Sequence, residues 1–251
     1  DSVHYLKMAA DQGNADAMNQ YATIYERGEG VEVDREIALK YYKMSADKGN
    51  SEGMFNYSNL LMSEETKSNE ETSQESAKYM KKAADNGHAV AMCKYGSMLK
   101  NGTGVPINKE EAARYYKMSA DEGHVNGMFN YASMVKKGNG IPVNNEEAAK
   151  YFKMAADKDC PPAMFKYGCM LKSGEGVEMD KEEASRYFKM AADKGDTDSM
   201  NNYGLMLYNG EGVEENKEEA CKYYKQSADE GSKVGLYKYG CMLRKGEWDT
   251  W

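Results

Sequence analysis

Ala10-Asp11-Gln12-Gly13 opens a series. The same Ala-Asp-x-Gly returns with its glycine at Gly49, Gly87, Gly123, Gly195 and Gly231, and Asp159 stands where one more glycine is due. The intervals are 36, 38, 36, 36, 36 and 36 residues. A period of that length marks units that cannot bury a hydrophobic face alone and do so by stacking on their neighbours. Set on it, the chain reads as a single array over 1–251: a half repeat 1–13, full repeats 14–49, 50–87, 88–123, 124–159, 160–195 and 196–231, and a terminal half repeat 232–251. It begins with Asp and part-way through a helical pattern, so an upstream piece is expected to be missing.

Each full repeat carries two helical patterns. In Ala91-Met92-Cys93-Lys94-Tyr95-Gly96-Ser97-Met98-Leu99 the apolar positions fall on one helical face. The second pattern, Glu110 to Ala120, is rich in good helix formers and is opened by Asn108 with Glu111 three residues on, the spacing of a capping box. Asp180 with Glu183, Asn216 with Glu219, and Thr72 with Glu75 repeat the spacing. The acidic pairs beside these caps suit the positive end of the helix dipole and read as structural rather than catalytic.

Between the two patterns lies Gly-x-Gly-Val, as Gly102-Thr103-Gly104-Val105 and Gly174-Glu175-Gly176-Val177, with Gly138-Asn139-Gly140-Ile141 as a variant. Its first glycine supplies the positive φ that ends a helix. No strand pattern precedes it and the third glycine of a dinucleotide fingerprint is missing, so a nucleotide site is not expected.

Ala17, Tyr25-x-x-Gly28-x-Gly30-Val31, Ala38-x-x-Tyr41-Tyr42-x-Met44 and Ala46-Asp47-x-Gly49 together resemble the Sel-one-like repeat family, relatives of the tetratricopeptide repeats. The resemblance covers essentially the whole chain. Where the family usually carries Leu-Gly in its first helix, this sequence has Tyr-Gly or Tyr-Ala, as at Tyr95-Gly96 and Tyr21-Ala22, an exchange of bulky core residues. The resemblance implies an all-α fold, an α/α superhelical solenoid of helix-turn-helix repeats, and a role in assembling protein complexes; it implies no reaction.

Composition narrows the partners. With 33 basic and 41 acidic residues the net charge is −8, which disfavours nucleic acid and anionic membranes. No apolar run approaches the ~18 residues of a membrane span. The five cysteines, Cys93, Cys160, Cys169, Cys221 and Cys241, form no CxxC pair and read as buried free thiols, pointing to a reducing, cytoplasmic setting. His4, His88 and His124 have no metal-ligand spacing. Neither a catalytic constellation, a cofactor nor a small-molecule substrate is expected.

Of 19 methionines, 16 fall in three columns, typified by Met92, Met98 and Met118, and 14 of 20 tyrosines fall in two, typified by Tyr95 and Tyr115. All five columns read as core.

Function is then expected on the concave side, lined by the first helices. Its innermost stripe reads Phe55, Cys93, Phe129, Phe165, Asn201 and Tyr237, followed by Asn59, Ser97, Ser133, Cys169, Leu205 and Cys241. Lys94, Lys100, Lys136, Lys137, Lys166, Lys172, Lys238, Arg244 and Lys245 flank it, with Tyr208 beside them and Glu26 as the one acid. The partner-binding candidates are therefore Phe55, Lys94, Lys100, Phe129, Lys136, Phe165, Cys169, Lys172, Leu205, Tyr208, Tyr237 and Arg244. They suit a protein or peptide with acidic residues and a few apolar anchors. Two other readings stay open: the lysines as a solvated face with Phe129 and Phe165 packed between helices, and the array as a fixed part of a large cytoskeletal or multi-subunit assembly held through its convex face and loops. Two segments break the pattern, an acidic loop over 63–75 and a tail carrying Trp248 and Trp251 that could cap the open hydrophobic end.

Overall fold

The computed structural model describes residues 2–63 and 69–245. The expectations placed on Trp248, Trp251 and the centre of the 63–75 loop lie outside them. Among the described residues there are fourteen helices and no strand: α1 Ser2–Asp11, α2 Ala15–Arg27, α3 Arg35–Asp47, α4 Ser51–Leu61, α5 Glu70–Asp85, α6 Ala89–Asn101, α7 Lys109–Asp121, α8 Val125–Lys137, α9 Asn145–Asp157, α10 Pro161–Ser173, α11 Lys181–Ala192, α12 Thr197–Asn209, α13 Lys217–Asp229 and α14 Lys233–Arg244. The even-numbered helices are the first helices of their repeats and the odd-numbered ones the second.

The helix ends follow from local chemistry. Asn14, Asn50 and Asp196 accept from the backbone N–H three residues on and so cap the first helices. Asn108, Asp180 and Asn216 cap second helices in the same way, on Glu111, Glu183 and Glu219. At α5 the expectation is corrected. The cap is Asn69, which forms a reciprocal box with Thr72, so the helix starts a turn early. Glu75, released from capping, instead pairs with Lys43 at 2.7 Å and accepts from the Tyr57 hydroxyl at 3.0 Å.

Each Gly-x-Gly turn uses its two glycines differently. Gly174 ends α10 in the left-handed region at φ 72°. Gly176, at φ +73°, lies so close to the start of α9 that an added Cβ would run into the Asn145 carbonyl. Gly104 meets Ser73, Gly140 meets Lys109 and Gly212 meets Lys181 in the same way. The turn of one repeat thus rests on the second helix of the repeat before it.

The chain falls into two compact units, Asp1–Gly127 with Asn139–Ile141, and Met128–Gly138 with Pro142–Trp251. In the first, each helix from α1 to α6 packs on its successor and α2 touches α4. In the second, each helix from α9 to α14 packs on its neighbour and α12 touches α14.

Two tyrosines form the centre of every full repeat. Tyr95 meets Tyr115 edge-on with ring centres 4.8 Å apart, and Tyr57–Tyr79, Tyr167–Tyr187 and Tyr203–Tyr223 repeat the arrangement at 4.9 Å, a geometry the ring quadrupoles favour. Beside them a second-helix aromatic sits over a first-helix glycine, so that a Cβ on Gly96 would stand 3.0 Å from the Tyr116 ring and one on Gly168 3.0 Å from Phe188. Second helices also bond to one another: the hydroxyls of Tyr79, Tyr115, Tyr187 and Tyr223 donate to Asp47, Asp85, Asp157 and Asp193 at 2.6, 2.6, 3.1 and 3.0 Å.

The methionine columns divide. Those typified by Met92 and Met98 are buried throughout. The column of Met8, Met44, Met118, Met154 and Met190 is not core: Met8 and Met190 are exposed and the other three half-buried, because this face of the second helix has no element over it within the repeat. Cys93 and Cys221 are buried, whereas Cys160, Cys169 and Cys241 are half-buried.

Candidate functional site

The first helices place the expected binding residues at one register position after another, and each unit carries its own share. In the first unit, Phe55 of α4 stacks on the His88 ring at 4.5 Å and 20°. Lys94 of α6 lies 5.0 Å over the Phe55 ring and donates to Asn59 at 2.7 Å; burial holds its ammonium below the usual lysine range. Lys100 is exposed, with no carboxylate partner among the described residues.

In the second unit the aromatics of α8 and α10 are half-buried rather than free. Phe129 meets Phe152 of α9 edge-on at 5.7 Å, and Phe165 meets Phe188 of α11 at 5.9 Å. One edge of each ring therefore packs between helices and the other faces out. Cys169, one turn on from Phe165, is half-buried, and its thiol is pushed up by burial, which makes it an apolar contact surface rather than a nucleophile.

The lysines of this unit are partly neutralised. Lys136 pairs with Glu175 at 2.5 Å and Lys172 with Glu211 at 3.8 Å. Both glutamates are the middle residue of a Gly-x-Gly turn in the next repeat. The reading of Glu26 as the one acid along this side is therefore corrected. The signal was present in the sequence, since each glutamate lies one repeat and three residues beyond its lysine.

Leu205 and Tyr208 of α12 and Tyr237 and Arg244 of α14 converge on one cavity of about 410 Å³. Tyr224, Cys241 and Met242 supply more of its apolar lining, and Lys238, Arg244 and Lys245 bring positive charge. Lys245 donates to the Tyr208 hydroxyl at 3.2 Å and lies 5.6 Å over its ring, with Lys217 5.4 Å over the same ring. Tyr237 is 68% exposed. Sequence reasoning placed Met242 in a core column and did not single out Tyr224; both line the cavity.

Among the described residues, no group of histidine, cysteine and carboxylate side chains is arranged to hold a metal ion, and no helix is long and apolar enough to cross a membrane.

A series of paired helices, each pair set on the last through the same tyrosines and glycines, defines a tandem helical-repeat protein. Residues 2–14, 15–50, 51–88, 89–124, 125–160, 161–196 and 197–232 each match the Sel1 repeat, and the chain belongs to that family. Its fold is similar to c5321, a protective antigen of uropathogenic Escherichia coli with an SLR fold (TM-score 0.90, 23% identity, 97% of this chain and 52% of that one). It is also similar to a Sel1 repeat protein from Oxalobacter formigenes (TM-score 0.79, 24% identity, 96% of this chain and 69% of that one). The chain thus spans about half the length of the Escherichia coli structure. No curated protein matches it in sequence. Sel1 repeat proteins generally mediate protein–protein interaction.

Proposed function

We propose that this chain is a non-enzymatic scaffold that holds a partner peptide against the first helices of its second unit, with the α12–α14 cavity taking the principal anchor. The observation that carries this reading is the convergence of Leu205, Tyr208, Tyr237 and Arg244 on one cavity with an apolar lining and a cationic rim. A site of about 410 Å³ admits one large aliphatic or aromatic side chain, and desolvating it there supplies affinity. Arg244 and Lys238 carry no carboxylate among the described residues. They would orient acidic residues flanking the anchor and speed encounter. Lys136 and Lys172, already paired with Glu175 and Glu211, contribute less charge than their number suggests.

The experiment is a selection from a random peptide library displayed on phage, using the whole chain as bait. Sequences enriched on the wild type but not on a Leu205→Glu, Tyr237→Ala variant should carry one large apolar residue among Asp and Glu, and should bind more weakly as salt rises. Peptides that bind wild type and variant equally would place the interaction elsewhere and reject the site.

A further inference from the structure

A second cavity, of about 560 Å³, opens within the second unit where α11, α12 and the turn after α12 meet. It shares no lining residue with the α12–α14 cavity. Ser185 fastens its wall. The Ser185 hydroxyl lies 2.8 Å from the Glu182 carbonyl and 3.2 Å from that of Gly212, one hydrogen shared between two acceptors, and so ties the turn to α11. The other repeats carry Leu39, Ala77, Ala113, Ala149 and Cys221 in that column, so this hydroxyl bond belongs to one repeat alone. Val213 and Glu214 follow Gly212 and form the side of the cavity that Ser185 steadies.

Two polar groups are left uncommitted there. Tyr203 is 5% exposed, yet its hydroxyl still touches solvent and has no hydrogen-bond partner among the described residues. At the same register the hydroxyls of Tyr57 and Tyr131 donate to Glu75 and Glu147. Glu214 is exposed, and its carboxylate has neither a hydrogen bond nor an ion pair among the described residues. The cations beside them keep spare donors. Arg186 holds Glu182 at 2.9 Å through one of its five N–H groups. Lys189 gives two of its three to Asp193 at 3.1 Å and the Tyr223 hydroxyl at 3.4 Å, and lies 5.9 Å over the Tyr203 ring.

We infer that this cavity binds a ligand carrying a carboxylate and an ammonium on one short frame: a zwitterionic peptide, either free or as an acidic and a basic residue within a partner's segment. The carboxylate takes the Tyr203 hydroxyl, with Arg186 and Lys189 supplying the opposite charge. The ammonium goes to Glu214, and the frame between them lies on the half-buried Val213. Both charges are required, because a simple anion meets Glu182 and Glu214 and a simple cation meets Arg186 and Lys189. The volume lies within the range of small-ligand sites. Tyr203 is held edge-on against Tyr223, so its hydroxyl is presented without a further loss of side-chain freedom on binding. The inference does not depend on peptide anchoring at the α12–α14 cavity.

The test is a titration of the whole chain, isotope-labelled and followed by its amide resonances. Alanyl-alanine carries the two charges on its termini, acetyl-Lys-Ala-Glu-amide carries them on side chains as a partner's segment does, and acetyl-Ala-Ala-amide carries neither. At least one charged probe should saturate, moving the amides of Arg186, Gly212, Val213 and Glu214, and the tighter of the two identifies the source. The neutral probe should move nothing. Tyr203→Phe keeps the ring and should weaken binding about tenfold; Glu214→Gln, at an exposed position, should weaken it about threefold. Charged probes that never saturate, shifts confined to the α12–α14 cavity, a neutral probe that binds as well, or either variant binding as the wild type does would each overturn the inference.

Discussion

The Tyr115 hydroxyl donates to one oxygen of Asp85 at 2.6 Å while the Lys81 ammonium pairs with the other, also at 2.6 Å. Thirty residues of sequence separate the tyrosine from the aspartate, and the bond ties one second helix to the one before it. Burial pushes the Asp85 carboxyl up, but the Lys81 and Tyr115 hydrogen bonds outweigh it and hold the group below the usual aspartate range.

Tyr115→Phe should therefore lower stability by about 1 kcal/mol near neutral pH, a charged hydrogen bond discounted for the half-exposed carboxylate. The depressed folded value fixes the sign. The contribution is present above the unfolded aspartate value and is lost as pH falls through the folded one. Urea midpoints of wild type and variant should differ at about pH 7 and draw together only as pH falls below the unfolded aspartate value of about 3.9.

The two glycines of a Gly-x-Gly turn invite a direct contrast. Gly176→Ala combines a left-handed residue with a Cβ driven into the Asn145 backbone. Gly30→Ala carries the same strain, at φ +77°, into open space. The expected cost is about 1 kcal/mol at Gly30, from backbone strain alone. Gly176 should lose about 3 kcal/mol or more, since the neighbouring backbone must also move. Thermal melts of the two variants decide it, and equal losses would refute the contact.

Asp159 is the one non-glycine residue with positive φ, at 70°, among the described residues. Its carboxylate pairs with Lys194 at 2.8 Å, across two largely exposed side chains. Relief of the left-handed strain should outweigh the loss of a surface ion pair, so Asp159→Gly is expected to stabilise by about 0.5 kcal/mol. A lower urea midpoint in the variant would show that the pair matters more than the backbone.

His124 accepts at Nδ1 from the Gly127 backbone N–H at 3.2 Å, close to the Ser119 hydroxyl at 3.1 Å, and so caps α8 as a neutral imidazole. Burial first, and the His88 charge second, hold it below the usual histidine value. The unfolded chain therefore takes up the proton first. Stability is intact above about pH 6.5 and falls as pH drops from there through the folded value. His124→Asn, which keeps a capping oxygen as Asn14 and Asn50 do, should lose less stability than wild type between about pH 7.5 and about pH 5.5. Matching losses in both proteins would acquit His124.

The fold was legible because its signals are local and recur. Ala-Asp-x-Gly, the Asn and Asp caps and the Tyr95 and Tyr115 columns each report the same period, and every repetition confirms the one before. What escaped depends on where chain segments meet in space. The second glycine of each turn looked like a loop residue until Gly176 was seen against Asn145. Met118 obeys the period of the core yet lies on a face that nothing in its repeat covers. The binding stripe was legible as a series of positions, but not its charge: Glu175 and Glu211 belong to turns a repeat away from the lysines they neutralise.

Because the turn at Gly176 rests on the helix start at Asn145 just as the turn at Gly212 rests on that at Lys181, repeats that share the Gly-x-Gly turn meet through one kind of joint. Among those repeats, an in-frame duplication or loss of thirty-six codons keeps the register and leaves a junction of the kind the chain already contains. Genes of this design can lengthen or shorten by recombination without passing through a misfolded intermediate, and differences in length between relatives are the expected residue of that history.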